Sequence, residues 1–141
     1  MTMQEMLQSN IDYYSADPVQ RRCTGKINCI NICFYSPKRA GKEGKSEGCG
    51  IGRHLSPDTQ EIMDGNDPDR SVAIKDIIRS YNKKSLPEWM QNMSTFFLSV
   101  IQDLHDDDKN WMSNGLSDLG KSQVDNIVMT FGLQPITLKY V

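Results

Sequence analysis

Long apolar runs are missing from this sequence. None of its 141 residues belongs to an uninterrupted hydrophobic stretch of about 18 or more, the length that crosses a bilayer as a helix. The first residues, Met1 to Glu5, are polar and begin an amphipathic pattern rather than a secretory leader. These absences predict a protein that makes no membrane contact and is located in the cytoplasm.

A large excess of charge of one sign is missing as well. The formal net charge is −2, so extensive binding to nucleic acid is not expected. The charge is nevertheless uneven, because the first 55 residues hold eight Lys or Arg against five Asp or Glu, whereas the remainder holds eight against thirteen. The basic residues therefore concentrate in the first part of the chain.

Cysteine and histidine are scarce, with four and two copies. In a reducing compartment four thiols do not form a disulfide framework. A zinc site could be drawn from Cys29, Cys33, Cys49 and His54, but on a straight strand Cys29 and Cys33 would lie about 13 Å apart. The aspartates at 103–108 lack the spacing of a calcium-binding loop. We therefore expect free thiols, no metal and no cofactor.

Nucleotide-binding fingerprints are also absent. Three glycines nevertheless stand beside two basic side chains in residues 48–55, Gly-Cys-Gly-Ile-Gly-Arg-His-Leu. In one interpretation Gly50 and Gly52 offer backbone amides to an anion, and Arg53 and His54 donate hydrogen bonds to it. In the other, this is a short buried strand whose glycines allow close backbone approach. Loosely spaced glycines are a weak signal, and the pattern alone favours the second interpretation.

Hydrophobic periodicity predicts mostly helices, over 2–15, 71–81, 87–105 and 117–131. The β-branched and aromatic residues from Lys26 to Tyr35 predict a strand, with Gly48 to Arg53 as its antiparallel partner. Pro135 to Val141 alternates as a short edge strand does. We expect one α+β domain over 1–141, in which a small antiparallel sheet packs against three or four helices. The helix over 87–105 would be central, and the basic loop at 36–47 mobile.

Two other groups of residues could carry chemistry. His105 and Asp106, with Gln102 one turn earlier, could form a general base at a helix end, although such residues also simply terminate helices. Tyr35 and Trp111 could stack a base beside a basic rim. That rim would consist of Arg21, Arg22, Lys38, Arg39, Lys42, Lys45 and Arg53. The alternative is that these cations only maintain solubility.

Residues 49–55 and the segment Ile-Gln-Asp-Leu-His-Asp at 101–106 resemble motifs of small uncharacterised proteins of phages, prophages and their bacterial hosts. Those proteins carry Cys-Ala-Ile/Val-Gly after a short strand and Leu-Gln-x-Leu-His-Asp downstream. Cys33-x-Tyr35, Trp111 and residues 131–133 extend the match over most of 23–133. The chain departs in having Gly50 for the usual Ala and a longer basic loop. The resemblance implies no activity, only an accessory factor that neutralises a host component.

Three functional hypotheses follow. The first is a non-catalytic, phage-type binding module that sequesters a small anionic, nucleotide-like signal of host defence. Its ligand contacts would be Tyr35, Gly50, Gly52, Arg53, His54, Gln102, His105, Asp106 and Trp111. The second is a protein–protein antagonist of a host factor, whose helix stripes and eight methionines also serve a homo-oligomer. The third is a small hydrolase that uses His105 and Asp106. In each case we expect action in the cytoplasm, which is that of the host cell if the protein is phage-encoded.

Overall fold

The computed structural model describes residues 1–27, 30–66 and 72–138 of the chain. These residues form seven α-helices: α1 (Met3–Ala16), α2 (Pro18–Arg21), α3 (Pro57–Asp64), α4 (Ile74–Ile78), α5 (Glu88–Gln91), α6 (Thr95–Asp106) and α7 (Asp118–Phe131). They also form four strands: β1 (Thr24–Ile27), β2 (Ile30–Cys33), β3 (Trp111–Met112) and β4 (Gly115–Leu116). Single 3₁₀ turns occur at Gly52–His54, Tyr81–Ser85 and Asp108–Asn110. The predicted α+β class is confirmed.

Local capping signals fix the ends of the two longest helices. Thr2 accepts a hydrogen bond from the backbone N–H of Glu5, and the Glu5 carboxylate accepts one from the Thr2 backbone, which together make a capping box for α1. Ser117 caps α7, and Gly132 ends it at a φ of 63°, in the left-handed region that glycine favours. The predicted boundaries of these two helices are therefore correct to within two residues.

The hydrophobic core is built around α6. Phe97, Leu98 and Ile101 are at most 1% exposed, and α6 packs against α4 and α7. Burial of each such side chain contributes roughly 1.5–3 kcal/mol. The predicted single helix over 87–105 is wrong, however, because the chain leaves α5 after Gln91. The hydroxyl of Ser94 then accepts a hydrogen bond from the Phe97 backbone and starts a new helix.

The sheet differs from the predicted one. The segment predicted as a single strand, Lys26 to Tyr35, instead contributes β2 and part of β1, which form an antiparallel hairpin in which Thr24 opposes Cys33. Residues 28 and 29 lie outside the described part of the chain. The predicted partner strand, Gly48 to Arg53, is wrong: this segment is a turn followed by a 3₁₀ helix. Its carbonyl groups accept side-chain hydrogen bonds from α1, so the pairing that a strand needs does not form.

The C-terminal segment also pairs with side chains rather than with a sheet. Gln4 of α1 both donates to and accepts from the backbone of Gln134, and Gln8 does the same with Thr137. Because the two glutamines are four residues apart, they lie on one face of α1. The predicted edge strand over 135–141 is therefore wrong for 135–138, and residues 139–141 lie outside the described ranges.

The basic loop at 36–47 follows the hairpin and makes several hydrogen bonds to it and to α2. Lys42 Nζ donates to the carbonyl of Val19 and the Ser46 hydroxyl donates to that of Arg21. Asp64 of α3 accepts hydrogen bonds from the backbone of Tyr35 and Ser36, where the loop begins. These contacts fix both ends of the loop, and its mobility stays a prediction.

The glycines of residues 48–52 permit close packing. A Cβ on Gly52 would lie 2.8 Å from the Cα of Tyr35, and one on Gly48 would lie 2.6 Å from the Tyr35 carbonyl oxygen. Real Cβ atoms do not come so near a backbone, so this turn can pass Tyr35 only with glycine at both positions. The close backbone approach expected of these glycines is present, although the element is not a strand.

We predict that Gly52→Ala lowers the free energy of unfolding by about 2–3 kcal/mol, because the backbone must shift to admit the methyl group. Gly50→Ala is the matched control: its Cβ would lie 3.2 Å from the Ile101 carbonyl oxygen, a contact that small adjustments relieve. We expect it to cost about 1 kcal/mol or less. Urea denaturation followed by circular dichroism measures both. Equal losses in the two variants would contradict the close-approach argument.

Candidate functional site

His105 is a buried structural residue. Its Nε2 accepts a hydrogen bond from the backbone N–H of Cys23 at 3.0 Å, so the ring proton resides on Nδ1, which donates to Asp106 Oδ1 at 2.8 Å. The side chain is 2% exposed, and burial lowers the pKa of His105. Because both ring nitrogens are engaged within the core, neither is available as a general base. The geometry therefore gives no support to the hydrolase hypothesis.

The same residues form a candidate metal cluster that does not fit a cation. One ligand atom each from Cys33, His105 and Asp106 lies within 4.8 Å of the others. A metal on Nδ1 of His105 would move the ring proton to Nε2, where the Cys23 N–H already points. Burial raises the pKa of the Cys33 thiol, so the metal-free protein holds this residue as a neutral thiol. Of the predicted zinc ligands, Cys29 lies outside the described residues.

Arg22 caps the C-terminal end of α6. Its Nε donates to the carbonyl of His105 at 2.9 Å, Nη2 donates to that of Asp106 at 3.2 Å, and Nη1 pairs with Asp108 at 2.9 Å. A cation there satisfies carbonyl groups that the helix leaves unpaired and interacts favourably with the helix dipole. Assignment of Arg22 to a solvent-exposed basic rim is therefore wrong, since the residue is only 7% exposed.

Tyr35, Gln102 and Trp111 also serve the core. Gln102 Nε2 donates to the Tyr35 hydroxyl at 2.9 Å, and Gln102 Oε1 accepts from the backbone of Ile74 at 3.0 Å. Trp111 Nε1 donates to the Leu104 carbonyl at 2.9 Å. The Tyr35 ring is 1% exposed and cannot stack on a base without rearrangement. Three residues predicted to contact a ligand thus connect α6 to neighbouring segments of the fold.

Arg53 and His54 face α1. Arg53 donates to the Ser9 hydroxyl at 2.7 Å, to Asn10 at 3.2 Å and to Glu47 at 3.2 and 3.3 Å. His54 Nε2 donates to Asn10 Oδ1 at 2.8 Å, since the Asn10 amide group is oriented by its own bond to the Gly50 carbonyl. Burial, followed by the charge of Arg53, lowers the pKa of His54 to about 4. Both side chains are used mainly within the fold.

His54 makes a testable contribution to acid stability. His54 is neutral in the folded state above about pH 4, whereas its pKa in the unfolded state is 6.5. Between these two pH values the unfolded state therefore binds one proton more than the folded state. Stability therefore falls as the pH falls through this window. We predict that His54→Gln, which keeps a donor for Asn10, makes the melting temperature less dependent on pH between 7 and 4.5. Parallel curves for wild type and variant would contradict this assignment.

A groove between α6 and α7, here called the α6–α7 groove, is a surface feature that sequence analysis did not predict. It has a volume of about 650 Å³. Its walls are Phe96, Val100, Asp103, Leu104, Asp106, Asp107, Asn110, Gln123, Asn126, Ile127, Thr130 and Phe131. Along α6 the carboxylates lie at the C-terminal end, and the 60% exposed Phe96 lies at the other end, next to Phe131. Of the predicted contact residues, only Asp106 lines this groove.

Asn110 in the groove wall has an unsatisfied acceptor. Its Nδ2 donates to the Leu104 carbonyl at 3.2 Å, which orients the amide group. Its Oδ1 is buried and, within the described part of the chain, has no hydrogen-bond partner. Such an unpaired buried group costs about 1–3 kcal/mol. Burial, with the charge of Asp106 adding to it, raises the pKa of nearby Asp103. Among the described residues, the lining of the groove thus contains carboxylates but no Lys or Arg.

A second, shallower depression of about 730 Å³ lies on α1. At its centre the Tyr13 ring contacts two guanidinium groups, that of Arg21 at 4.8 Å and that of Arg53 at 4.4 Å from the ring centroid. Glu5 and Asp12 also line it, so its charge is mixed. It is the part of the predicted basic rim that combines cations with an aromatic ring at the surface.

Comparison with protein-family models, with curated proteins and with solved structures finds no match to this chain. Within the described ranges, no helix has both the length and the apolar character needed to cross a membrane.

Proposed function

We propose that this protein is a non-catalytic binding module that recognises a short segment of a partner protein in the α6–α7 groove. The observation that carries the proposal is the groove itself, whose walls include an exposed aromatic side chain, Phe96, and Asn110, whose Oδ1 is buried without a partner in the described chain. An exposed aromatic ring gains free energy when a partner covers it, and a buried acceptor without a donor gains free energy when a partner supplies one. The proposal corresponds to the protein–protein hypothesis from the sequence, and phage origin stays a prediction.

The shape and charge of the groove favour a peptide over a nucleotide. From Phe96 to Asp106 the α6 wall extends about 15 Å, at 1.5 Å per helical residue. An extended segment of about five residues matches this length, at roughly 3.3 Å per residue. The groove is lined by Asp103, Asp106 and Asp107 and, as far as the structure describes it, by no Lys or Arg. An anionic ligand would therefore be repelled there.

Selection of peptides against the folded protein tests the proposal. We predict that a displayed library of random 12-residue peptides yields binders whose Kd rises at least tenfold for Thr130→Trp, because Thr130 is an exposed residue of the groove wall and an indole fills the groove. Met129→Trp is the matched control, since Met129 is 80% exposed and does not line the groove. Fluorescence anisotropy gives the affinities.

The result that would overturn the proposal is equally direct. Either a library that yields no specific binder, or binders that bind wild type and Thr130→Trp with the same Kd, would show that the groove is not the recognition surface. Binders weakened equally by Met129→Trp and Thr130→Trp would place the contact elsewhere on α7.

A second candidate function is capture of a small anionic ligand at the α1 depression, which retains the first hypothesis from the sequence at a new position. It is supported by the two guanidinium groups around Tyr13. The acidic side chains of Glu5 and Asp12 oppose it, and most Arg53 donors are already paired. Arg21, whose Nη1 donates to the Tyr13 carbonyl, is the cation with more remaining donors.

ADP is a suitable probe of this second candidate. We predict that titration with ADP shifts the amide resonances of Tyr13 and Arg21 in heteronuclear NMR spectra, and that Arg21→Ala removes the shifts. Arg79→Ala, at an exposed position near the end of α4, should leave them unchanged. The absence of any shift at millimolar ADP would eliminate this site for nucleotides.

A further inference from the structure

We propose that the acidic end of the α6–α7 groove is a subsite for a lysine or arginine side chain of the partner segment, with Asn110 Oδ1 as one of its acceptors. This inference rests on the proposed function, since it names the chemistry of the segment that the groove receives. The subsite is inferred from three observations: the charges at that end of the groove, the unpaired acceptor of Asn110 and the apolar surface at the opposite end.

The carboxylates at this end of the groove form no ion pair with a cation of the described chain. Asp106 Oδ1 accepts from neutral His105, and Asp107 Oδ1 accepts from the Lys109 backbone. The neighbouring guanidinium group of Arg22 binds Asp108 and two carbonyl groups instead. Lys75 acts on Asp103 only through a Coulombic effect that is smaller than the effect of burial. Negative charge is therefore available to an incoming cation.

Asn110 adds a requirement for a hydrogen-bond donor. Because Nδ2 donates to the Leu104 carbonyl, the amide group cannot reverse without losing that bond. Asn110 Oδ1 therefore stays an acceptor without a donor among the described residues. Asn110 is 4% exposed and fixed in the groove wall. An ammonium group offers three donors and a guanidinium group five, and neither accepts. A lysine or arginine side chain thus supplies what both the carboxylates and Asn110 lack.

The opposite end of the groove indicates which second residue the partner segment carries besides its basic one. Phe96 and Phe131 pack with ring centroids 5.5 Å apart, and Phe96 remains 60% exposed. Along α6, Phe96 lies about 10 Å from Asp103 and about 15 Å from Asp106, distances that an extended chain spans in about three to five residues. We therefore infer a segment with a basic residue and, about four residues away, an apolar one. A free polyamine would use the acidic end but leave the phenylalanine rings exposed.

Neutral analogues of a selected peptide test the charge requirement. In a peptide that binds wild type, Lys replaced by norleucine, or Arg by citrulline, keeps the length of the side chain and removes its charge. We expect a Kd at least tenfold higher, as for the loss of a charge-assisted hydrogen bond. Equal affinity of the charged and neutral peptides would overturn the subsite while leaving peptide binding in the groove intact.

Protein variants provide the reciprocal test. The double variant Asp103→Asn and Asp107→Asn should weaken the charged peptide at least tenfold and leave the norleucine peptide unchanged. Asp125→Asn, an exposed position of α7 outside the groove, is the matched control and should bind like wild type. Equal affinity of the charged peptide for the double variant and wild type would remove the carboxylates from the proposal.

Asn110→Leu separates recognition from a structural role. We expect this variant to bind the charged peptide less tightly and yet to melt no lower than wild type, because the substitution removes the unpaired acceptor while Trp111 continues to donate to the Leu104 carbonyl. Unchanged binding would show that Asn110 takes no part.

Binding of spermidine tests the identity of the occupant. If spermidine binds the groove more tightly than every selected peptide, the occupant is a polyamine and the peptide assignment is wrong.

Discussion

The rest of the structure depends on the attachment of the α6 C-terminus to residues 22 and 23. Arg22 takes the last carbonyl groups of the helix, and His105 accepts the backbone N–H of Cys23. Helix ends leave carbonyl groups without partners, and buried groups of this kind must be satisfied. Here the segment between α2 and β1 satisfies them. The helix that carries the core is thereby fixed to the start of the hairpin.

This attachment also determines where Asp106 points. Its Oδ1 is held by the Nδ1 proton of His105, and its carbonyl group is held by Arg22. Asp106 can therefore line the α6–α7 groove with a neutral neighbour rather than an ion-pair partner. One set of hydrogen bonds thus supports the core on one side of α6 and leaves negative charge on the other. The same set engages both ring nitrogens of His105.

Structure that depends on neighbouring residues could be predicted from the sequence, whereas structure that depends on distant hydrogen bonds could not. Thr2 with Glu5 and Ser117 with Gly132 mark helix ends locally, and those ends are correct. Residues 48–54 have an equally clear local pattern, but Asn10 and Tyr14 of α1 bind their carbonyl groups from 34 to 40 residues away. No local periodicity contains that information, so the strand prediction failed.

The candidate site was less predictable for a related reason. The residues nominated for chemistry, such as His105 and Gln102, are polar groups in an apolar stripe, a pattern shared by catalytic residues and by hydrogen-bonded core residues. Burial separates the two classes, and burial is a property of the tertiary structure. Phe96 shows the converse case, because its position in the helical stripe predicts a core residue, whereas the fold leaves it exposed.

Asn110 is held in one orientation in the wall of the α6–α7 groove. Its backbone carbonyl accepts from Ser117 at 2.9 Å, and at Gly120 of α7 a Cβ would lie 3.0 Å from its carbonyl carbon, so the residue is held tightly against the start of α7. With the backbone held there and Nδ2 bonded to the Leu104 carbonyl, the amide group cannot turn towards another donor without losing that bond. The unpaired acceptor lowers the stability of the folded state by about 1–3 kcal/mol, and its orientation is fixed before any ligand binds. A partner that donates to it recovers that free energy without first ordering the site, which is the physical advantage of preorganisation.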